Sequence, residues 1–524
     1  MVGPGDINAV IDRNLQTFDK PGVLSIRPGF KVTGDWLTSK PSIVVTVREK
    51  RVSPPEAEML PSAVEGVPVD VRQASTEKRE EIEDPEAYSS KLRLTPDTNS
   101  VAHFPDERTP TGQRPAAAAS AHAQLAAIPK PKLDYAGPAG VTLEPVEVQA
   151  TIHLSASPDS GWATLKTFLN GTNDSLTVGL YDFTSAHIET AVRQAMAGKR
   201  LKLVLDHPPK NPTADQTDAQ TVANLRQSLT DAFDQAWALT RPDPEATAWI
   251  YPTSYHIKVA VRDRSAFWLS SGNWNNSNQP DIDPAANAAD AMEARHRDRD
   301  WHVVIEHPQL ARVFEDYILN DLSTAAAHNN APEAPGSPLP PPAAGASGKA
   351  FHQFFPTESI TDTFKITPLL TPDPGVYVQA VKALLEGAEQ TLYMQFQYIE
   401  LPKPGNTNAQ GFIDLVQTVI DRQNARVDVK IIMSEFEKVG YLEQLQTMGL
   451  NVVDNVKIQN HVHNKGIVAD GKRVLVSSQN WSTDGTLYNR DAGVIIDSEA
   501  AAQYFQKIFL HDWEYLAAQQ ALSD

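Results

Sequence analysis

Residues 255–263 read "YHIKVAVRD" and residues 462–470 read "VHNKGIVAD", so one chain of 524 residues carries the pattern His-x-Lys-x4-Asp twice. In each copy, a Ser pair and then an Asn follow, with the Asn 17 residues after the His: Asn273 after His256, and Asn480 after His463. Side chains two positions apart on a strand share a face. We therefore expect the His and the Lys of each copy to lie on one face of a β-strand that ends at the Asp.

The sequence around the two patterns repeats one order of elements. "SLTVGLYDF" (175–183) and "QTLYMQFQYIE" (390–400) are typical of strands, and "SAHIETAVRQAMAG" (185–198) and "GFIDLVQTVIDRQ" (411–423) have apolar residues at helical spacing. Strands that alternate with helices predict α/β layers around a mixed or largely parallel sheet. The repeated order predicts an internal duplication, with two halves packed about a pseudo-two-fold axis.

Two stretches rich in Pro and Ala, residues 105–139 and 325–349, are too poor in large apolar residues to form a core and predict linkers. Before the first lies a segment with two alternating patterns, which predicts a small α/β or β-rich module of unknown role. The predicted division is an N-terminal module (1–90), a Pro/Ala-rich linker (91–145), a first half (146–324), a second linker (325–349) and a second half (350–524).

The bulk composition limits the partners. The formal charge of −19 disfavours polyanions as a class, so a nucleic acid would need a locally basic groove. The chain has no Cys, which excludes disulfides and thiol chemistry. It shows neither a signal-like start nor an apolar run of 18 residues, so we expect a soluble protein, cytoplasmic or secreted without a classical signal peptide, with no transmembrane segment.

Two sets of His, Lys and Asn that line one cavity suit a phosphodiester. Lys258 and Lys465 would supply charge to phosphoryl oxygens, and the amides of Asn273 and Asn480 would supply hydrogen bonds. One His can attack phosphorus while the other protonates the departing oxygen, which requires one neutral and one cationic imidazole near neutral pH. A phosphohistidine intermediate divides one hard displacement into two easier ones. This chemistry requires no metal and no other cofactor.

The paired motifs resemble the signature of the phospholipase D superfamily, which is H-x-K-x4-D followed by a Ser/Gly-rich turn that carries Asn. The usual "GSxN" reads "SSGN" at 270–273 and "SSQN" at 477–480, which keeps Ser271 and Ser478 as supporting residues. The resemblance covers roughly residues 150–520. It implies an α/β fold of two phospholipase D-like α/β/α halves, with His256 as the nucleophile and His463 as the general acid.

Members of this family also place an acidic residue downstream to orient each His. "RDRD" (297–300) and "NRD" (489–491) match that pattern, so the resemblance implies Asp300 as the partner of His256 and Asp491 as the partner of His463. The first half holds 16 additional residues between its Asn and its Asp. We expect this insertion, part of which (285–297) has a helical pattern, to form a wall or lid that selects the substrate.

Other polar and aromatic residues near the motifs favour structural roles. Asp263 and Asp470 lie where a strand meets a turn, which favours a turn or salt-bridge role that supports the site. Trp274 and Trp481 favour packing. The residues expected in a solvated loop rather than a cation site are Asp281, Asp283 and Asp290, and those expected to be structural or on the surface are His302 and His461.

The substrate remains open between classes. The first hypothesis is a phospholipase D-like hydrolase or transphosphatidylase that forms phosphatidic acid and meets its phospholipid at a membrane or micelle surface from the aqueous side. The second is a nuclease or other nucleic-acid phosphodiesterase, which salt dependence would distinguish. A phosphatidyltransferase like cardiolipin synthase is a third, and a binding module without catalysis is a fourth. Both motifs lie in one chain, so a monomer can be active, although the oligomeric state is left open.

Overall fold

The computed structural model describes residues 4–34, 36–51, 53–84, 101–113, 135–206, 215–238, 254–327, 348–402 and 406–519. Most of both predicted linkers, residues 91–100, 114–134 and 328–347, lies outside the described residues. The domain boundaries placed within them therefore remain predictions.

The N-terminal segment forms a separate four-stranded sheet in the order β1-β2-β4-β3. Its elements are the helices Pro4–Arg13, Leu15–Phe18 and Thr76–Glu83, and the strands β1 (Val23–Thr33), β2 (Trp36–Val47), β3 (Ala63–Val64) and β4 (Val67–Gln73). The sheet docks on the second half through Glu443, a buried carboxylate that accepts hydrogen bonds from Arg27 Nη2 at 2.5 Å and Arg72 Nη1 at 3.0 Å. A small α/β or β-rich module was predicted here, and the segment contains both helices and a sheet.

The rest of the chain builds one 14-stranded mixed sheet. Its first half contains β5 (Val146–Ser157), β6 (Ser175–Leu180), β7 (Arg200–Leu205), β8 (Phe233–Trp237), β9 (Lys258–Arg262), β10 (Ala266–Ser270) and β11 (Asp300–Glu306). Its second half contains β12 (Glu358–Thr371), β13 (Thr391–Phe396), β15 (Asp428–Ser434), β16 (Val456–Gln459), β17 (Lys465–Ala469), β18 (Arg473–Ser477) and β20 (Asp491–Asp497). The short strands β14 (Ile399–Glu400) and β19 (Trp481–Ser482) pair with each other separately.

The strand order shows the duplication directly. From one edge it reads β16-β15-β13-β17-β18-β20-β12, and from the other edge it reads β8-β7-β6-β9-β10-β11-β5. The two series are equivalent strand for strand, and they meet where β12 pairs antiparallel with β5, from Glu358 opposite Leu154 to Ile366 opposite Val146. This pairing is the pseudo-two-fold relation that the repeated sequence predicts.

Helices cover the sheet in both halves. They are Gly161–Asn170, Ala186–Ala195, Asp218–Leu229, Ala291–Ala294 and Pro308–Ala327 in the first half, and Val376–Glu386, Gln410–Asn424, Val439–Met448, Val452–Asn455, Thr483–Leu487 and Glu499–His511 in the second. Side-chain caps begin several of them, as where Ser185 Oγ and Ser498 Oγ accept backbone N–H groups. Within the part of the chain that the structure describes, no helix is both long and apolar enough to cross a membrane.

One apolar core joins the halves. It combines Val259 and Phe267 of the first half with Val468 and Val494 of the second, while separate clusters fill the space between each half and its own outer helices. Strands β10 and β11 contact β17 and β18 across this core. The residues at the inner ends of these strands therefore meet at the junction of the two halves.

The predicted elements nearest the motifs are confirmed within a few residues, with two exceptions. The strands β9 and β17 begin at Lys258 and Lys465, so each His lies two residues before its strand rather than on it. Residues 285–297 are helical only over the 3-10 turn Ala288–Asp290 and the helix Ala291–Ala294. The long strands β5 and β12, which join the halves, were not predicted from the sequence.

Candidate active site

The backbone before each His runs beside a segment of the opposite half. The carbonyl of Ser254 accepts the backbone N–H of Arg490 at 3.0 Å, and the residues 255 and 490 form a parallel bridge. In the equivalent place, the N–H of Arg299 donates to the His461 carbonyl at 2.7 Å and the N–H of His463 donates to the Arg299 carbonyl at 3.1 Å. His256 therefore lies at the start of β20, and His463 lies at the start of β11, each in the other half.

The two His–Asp pairs are crossed between the halves. His256 Nδ1 lies 2.9 Å from Asp491 Oδ1, and His463 Nδ1 lies 3.1 Å from Asp300 Oδ1. The prediction that Asp300 orients His256 and Asp491 orients His463 is wrong. The reason is that the backbone before each His pairs with a segment of the opposite half, which brings each His to the Asp of that half. In both pairs the Asp binds Nδ1, which leaves Nε2 as the reactive nitrogen.

A serine fixes each of these Asp residues. Ser271 Oγ donates to Asp300 Oδ1 at 2.7 Å and accepts the Trp301 N–H at 3.1 Å. Ser478 Oγ donates to Asp491 Oδ1 at 2.5 Å and accepts an N–H at 3.0 Å in the same way. The two serines kept from the "GSxN" pattern thus hold the carboxylates that orient the two imidazoles.

The lysines lie at the same centre. Lys258 and Lys465 are fully buried, and each Nζ donates to the backbone carbonyl of its own motif His at 2.5 Å. Lys465 Nζ also lies 3.1 Å from both ring nitrogens of His463. The structure therefore places two cations beside the two imidazoles.

The asparagines Asn273 and Asn480 lie directly after the Ser turns and are nearly buried. The side-chain oxygen of each is buried without a hydrogen-bond partner among the described residues. Buried amides are normally satisfied within the protein, and unsatisfied ones need an explanation. A water molecule or a substrate hydroxyl that donates to these oxygens is one.

Burial controls the charges of the site. Burial, followed by the charges of Lys258, Lys465 and His463, lowers the pKa of His256 well below its usual value. Burial and then Lys465 likewise lower the pKa of His463. Both shifts favour the neutral imidazole, whereas the sequence led us to expect one cation. A bound phosphodiester supplies the negative charge that favours a proton on one of them.

The two aspartates shift in the opposite direction. Burial raises the pKa of Asp491 to about 7, and burial also raises the pKa of Asp300. Since each lies against an imidazole whose own pKa is lowered, each pair takes up and releases its proton as a unit.

The motif aspartates Asp263 and Asp470 are remote from this chemistry. Asp263 accepts the backbone N–H groups of residues 173–175 at 2.7 to 3.0 Å. Asp470 accepts those of residues 389–391 at 2.8 to 2.9 Å. Each ties the end of its motif strand to the start of the neighbouring strand, which confirms the turn role predicted for both.

Other predicted structural roles are also confirmed. Trp274 and Trp481 are buried in the packing of their own halves. His302 is held between the hydroxyls of Ser157 and Ser270 at 2.9 and 2.6 Å, and burial lowers its pKa to about 4. Among the described residues, no group of three or more His, Asp or Glu side chains is placed to hold a metal ion.

Comparison with known proteins agrees with this geometry. Residues 381–513 match the family described as "Cardiolipin synthase, PLD-like domain". A curated relative, phospholipase D from Rickettsia conorii, is 28% identical over 145 residues, which is 27% of this chain and, at 66%, just under two thirds of the relative. The second half of the chain carries a phospholipase D-like domain.

Solved structures with a similar arrangement include two bacterial proteins. Phosphatidylserine synthase from Haemophilus influenzae Rd KW20 is 13% identical with a TM-score of 0.49 over 73% of this chain and 91% of that one. Nuc from Salmonella typhimurium, a phospholipase D family member, is 17% identical with a TM-score of 0.25 over 36% of this chain and 97% of that one. The family match over residues 381–513, rather than these structures, supports an enzyme of the phosphodiesterase or phosphotransferase type.

Two buried arginines, which the sequence reasoning missed, directly precede the two aspartates that bind the imidazoles. Arg299 precedes Asp300 and binds Asp512 of the other half at 2.8 Å. Arg490 precedes Asp491 and binds Asp321 of the first half at 2.9 Å. Both guanidiniums are fully buried. The Arg-Asp dipeptide shared by the two halves was the sequence signal for them.

A third missed residue is Tyr181, which follows β6. Its ring centroid is 5.0 Å from that of His256 in an edge-to-face arrangement and 5.2 Å from Lys258 Nζ. It forms one side of the His256 environment. No separate signal pointed to Tyr181, because the residue lies within a predicted strand.

The 16-residue insertion lines a cavity of about 340 Å³ that reaches His461. Arg295 and Arg297 of the insertion contribute to it together with Lys349 and His461, and none of its described lining residues is acidic. His461 lies two residues before the catalytic candidate His463. The expectation that the insertion forms a wall next to the motif agrees with this position, and a role in substrate selection remains a prediction.

Proposed function

We propose that the protein is a phosphodiesterase that hydrolyses the head-group phosphodiester of phospholipids to phosphatidic acid through a phosphohistidine intermediate. The observation that carries this proposal is the convergence of two imidazoles, each bound at Nδ1 by an aspartate of the opposite half, at a centre with two buried lysines. No cofactor enters the proposed reaction.

In the first step, the Nε2 lone pair of His256 attacks phosphorus and the bond from phosphorus to the head-group oxygen breaks. His463 donates its proton to that oxygen, so the head group leaves as a neutral alcohol. In the second step, His463 accepts a proton from water, whose oxygen attacks phosphorus and displaces His256. The lipid phosphate leaves as phosphatidic acid.

Lys258 and Lys465 would stabilise the phosphoryl oxygens as charge accumulates on them, and the amides of Asn273 and Asn480 would orient the same group. Fixed charges in a buried site stabilise a transition state more strongly than the same charges in water, and they need no reorganisation during the reaction. Replacing these lysines and asparagines is therefore expected to lower kcat more than it weakens substrate binding.

Two observations favour a lipid. The curated relative is named phospholipase D, and the matching family is named for cardiolipin synthase. Two large apolar side chains are also exposed near His461: Met292, whose sulfur is 3.9 Å from Arg295 Nη1 beside the cavity, and Phe436, which follows a carboxylate that accepts the His461 N–H at 2.8 Å. Exposed apolar groups at the rim of a site suit contact with a lipid surface.

A nuclease is the second candidate, and the cavity lined by Arg295, Arg297 and Lys349 is the observation that favours it. In a chain with a net charge of −19, a local group of cations is the place where a polyanion would bind, and here only part of that charge is offset by the pairing of Arg297 with Glu293. R295Q and R297Q would then weaken cleavage of single-stranded DNA and reduce its salt dependence. The exposed Arg312, on the helix Pro308–Ala327, is a matched control as R312Q.

The deciding experiment supplies phosphatidylcholine and phosphatidylethanolamine micelles, single-stranded DNA and bis-p-nitrophenyl phosphate separately, each with excess chelator. We expect head-group release and phosphatidic acid from the micelles, and none from the His256→Ala variant. Cleavage of DNA without lipid turnover would overturn the lipid proposal in favour of the nuclease. Exchange of one head group for an added alcohol without net hydrolysis would indicate a phosphatidyltransferase.

A further inference from the structure

The two His–Asp pairs are equivalent in geometry but not in charge. Two residues before Asp300 the first half has Asp298, and two residues before Asp491 the second half has Asn489. Four parts of the two pairs match: the imidazole, its aspartate, the serine that binds it and the buried arginine that precedes it. The position occupied by Asp298 and Asn489 is thus where the pseudo-symmetry breaks next to the reaction.

Asp298 belongs to the His463 pair. Asn278 Nδ2 donates at 2.9 Å to Asp298 Oδ2 and at 2.9 Å to Asp300 Oδ2, so one amide bridges the two carboxylates. Asp300 in turn lies 3.1 Å from His463 Nδ1. Ser277 Oγ also donates to Asp298, and His461 Nδ1 lies 3.9 Å from it. A second carboxylate is therefore built into the environment of His463.

The second half has a neutral group instead. The side chain of Asn489 is hydrogen-bonded to Asp491, the partner of His256. An amide thus stands where the first half has an acidic side chain, so the His463 pair has one ionisable carboxyl group more than the His256 pair.

The other charged groups do not cancel this difference. Lys258 and Lys465 both act on both imidazoles, and each imidazole has one aspartate partner. Burial and Lys465 lower the pKa of His463, and Asp298 acts against them. The pKa of His256 is lowered by burial, Lys258, Lys465 and His463, with no second carboxylate among its main influences. Burial and the neighbouring charge of Asp300 raise the pKa of Asp298 itself, while His463 and Ser277 favour its charged form.

We propose that Asp298 is the residue that assigns the roles of the two histidines, keeping the proton on His463 as the general acid and leaving His256 free as the nucleophile. This inference rests on the proposed phosphohistidine reaction and adds the cause of its direction. Asp298 contacts neither phosphorus nor leaving group and acts through Asp300 and His463, so it is a positioning residue. Asn489 occupies the equivalent position in the second half, so exchanging the residue types at these two positions tests the proposal.

The first experiment requires no turnover. The Cε1–H signals of the 14 histidines are titrated by NMR in the full-length protein with saturating inorganic phosphate, and His256 and His463 are identified from the H256N and H463N variants. We expect His463 to titrate above His256. In D298N the His463 titration should move down by about one pH unit, and in N489D the His256 titration should move up instead.

The two variants are matched, because each exchanges the same two residue types at equivalent positions. A general loss of packing would not change the pKa of one particular imidazole in one particular direction. The proposal requires D298N to lower the pKa of His463 and N489D to raise the pKa of His256. An unchanged His463 titration in folded D298N would overturn the proposal. If D298N does not fold, N489D alone decides, because an unmoved His256 overturns it equally.

The second experiment tests the roles. The enzyme is quenched during turnover of bis-p-nitrophenyl phosphate, and the phosphorylated peptide is identified by mass spectrometry. We expect the label on His256 in the native protein and on His463 in the D298N/N489D double variant. A label that stays on His256 in the double variant would overturn the assignment by Asp298. Absence of turnover would count against the proposed function, and the NMR titration would still decide the inference.

Discussion

Asp491, in the second half of the chain, holds His256 of the first half, with 2.9 Å between Oδ1 and Nδ1. The equivalent pair, His463 with Asp300, crosses in the opposite direction. Each imidazole is therefore oriented only when the halves are docked, and neither half contains a complete pair. The buried ion pairs of Arg299 and Arg490, which also cross between the halves, join the docking to the geometry of the site.

The crossed pairing predicts which aspartate supports which step. Asp491→Asn should impair attack on phosphorus, because it disturbs His256, and Asp300→Asn should impair protonation and water activation, because it disturbs His463. Each should lower kcat by about 10²- to 10⁴-fold. With bis-p-nitrophenyl phosphate, D300N should release close to one equivalent of nitrophenolate rapidly and then slow, and D491N should release little. The reverse pattern would support pairing within each half.

The two histidine variants should differ in how much activity they lose and in whether they still give a burst. His256→Ala should lose roughly 10⁴- to 10⁶-fold in kcat with every substrate, because no phosphoryl intermediate can form. His463→Ala should lose about 10²- to 10⁴-fold with a lipid head group. It should still give a burst with bis-p-nitrophenyl phosphate, because nitrophenolate leaves without a proton. Stopped-flow absorbance measures the burst. A burst in His256→Ala and none in His463→Ala would exchange the two roles.

The pH dependence follows from the pair that contains the nucleophile. Burial raises the pKa of Asp491 to about 7, so the His256–Asp491 pair takes up a proton as the pH falls through that value. The protonated carboxyl no longer accepts the Nδ1 proton, and kcat/KM should decline below about pH 7. In D491N this acid limb should disappear, whereas S160A, which changes a serine outside both pairs, should retain it. Identical acid limbs in D491N and the native protein would contradict the assignment.

The sequence was sufficient for the duplicated order of elements and for eight residues that lie together at the centre, from His256 to Asp491. It was insufficient for the crossing, because pairing within a half and pairing between halves give the same spacing along the chain. The strands β5 and β12 were missed for a local reason. The first six residues of β12, from Glu358 to Thr363, are mostly exposed and polar and show no alternation of burial. Their place is set by the partner strand.

The buried Arg299–Asp512 pair predicts a contribution to stability with a defined pH range. Burial opposes the charge of Asp512, yet the Arg299 guanidinium lowers its pKa to about 2. Because this folded-state value is below the unfolded one, the contribution is fully present above about pH 4 and is lost as the pH falls toward 2. It amounts to roughly 2 kcal/mol. Chemical denaturation at a series of pH values should show that the unfolding free energy of D512N changes less with pH in that range than the unfolding free energy of the native protein does. Equal slopes would contradict the prediction.

Asp263 and Asp470 provide the last test, because they belong to the motifs but not to the reaction. Each carboxylate accepts three backbone N–H groups at the start of a neighbouring strand. Asp263→Ala or Asp470→Ala should lower the free energy of unfolding by about 1 to 3 kcal/mol, since the N–H groups lose a charged acceptor. Below the unfolding temperature kcat should stay within about twofold of the native value, because the carboxylates touch neither imidazole. Denaturant melts and initial rates on one preparation measure both quantities. D300N serves as the contrast, with kcat lost. A fall in kcat of a hundredfold in folded D263A would place this carboxylate in the reaction after all.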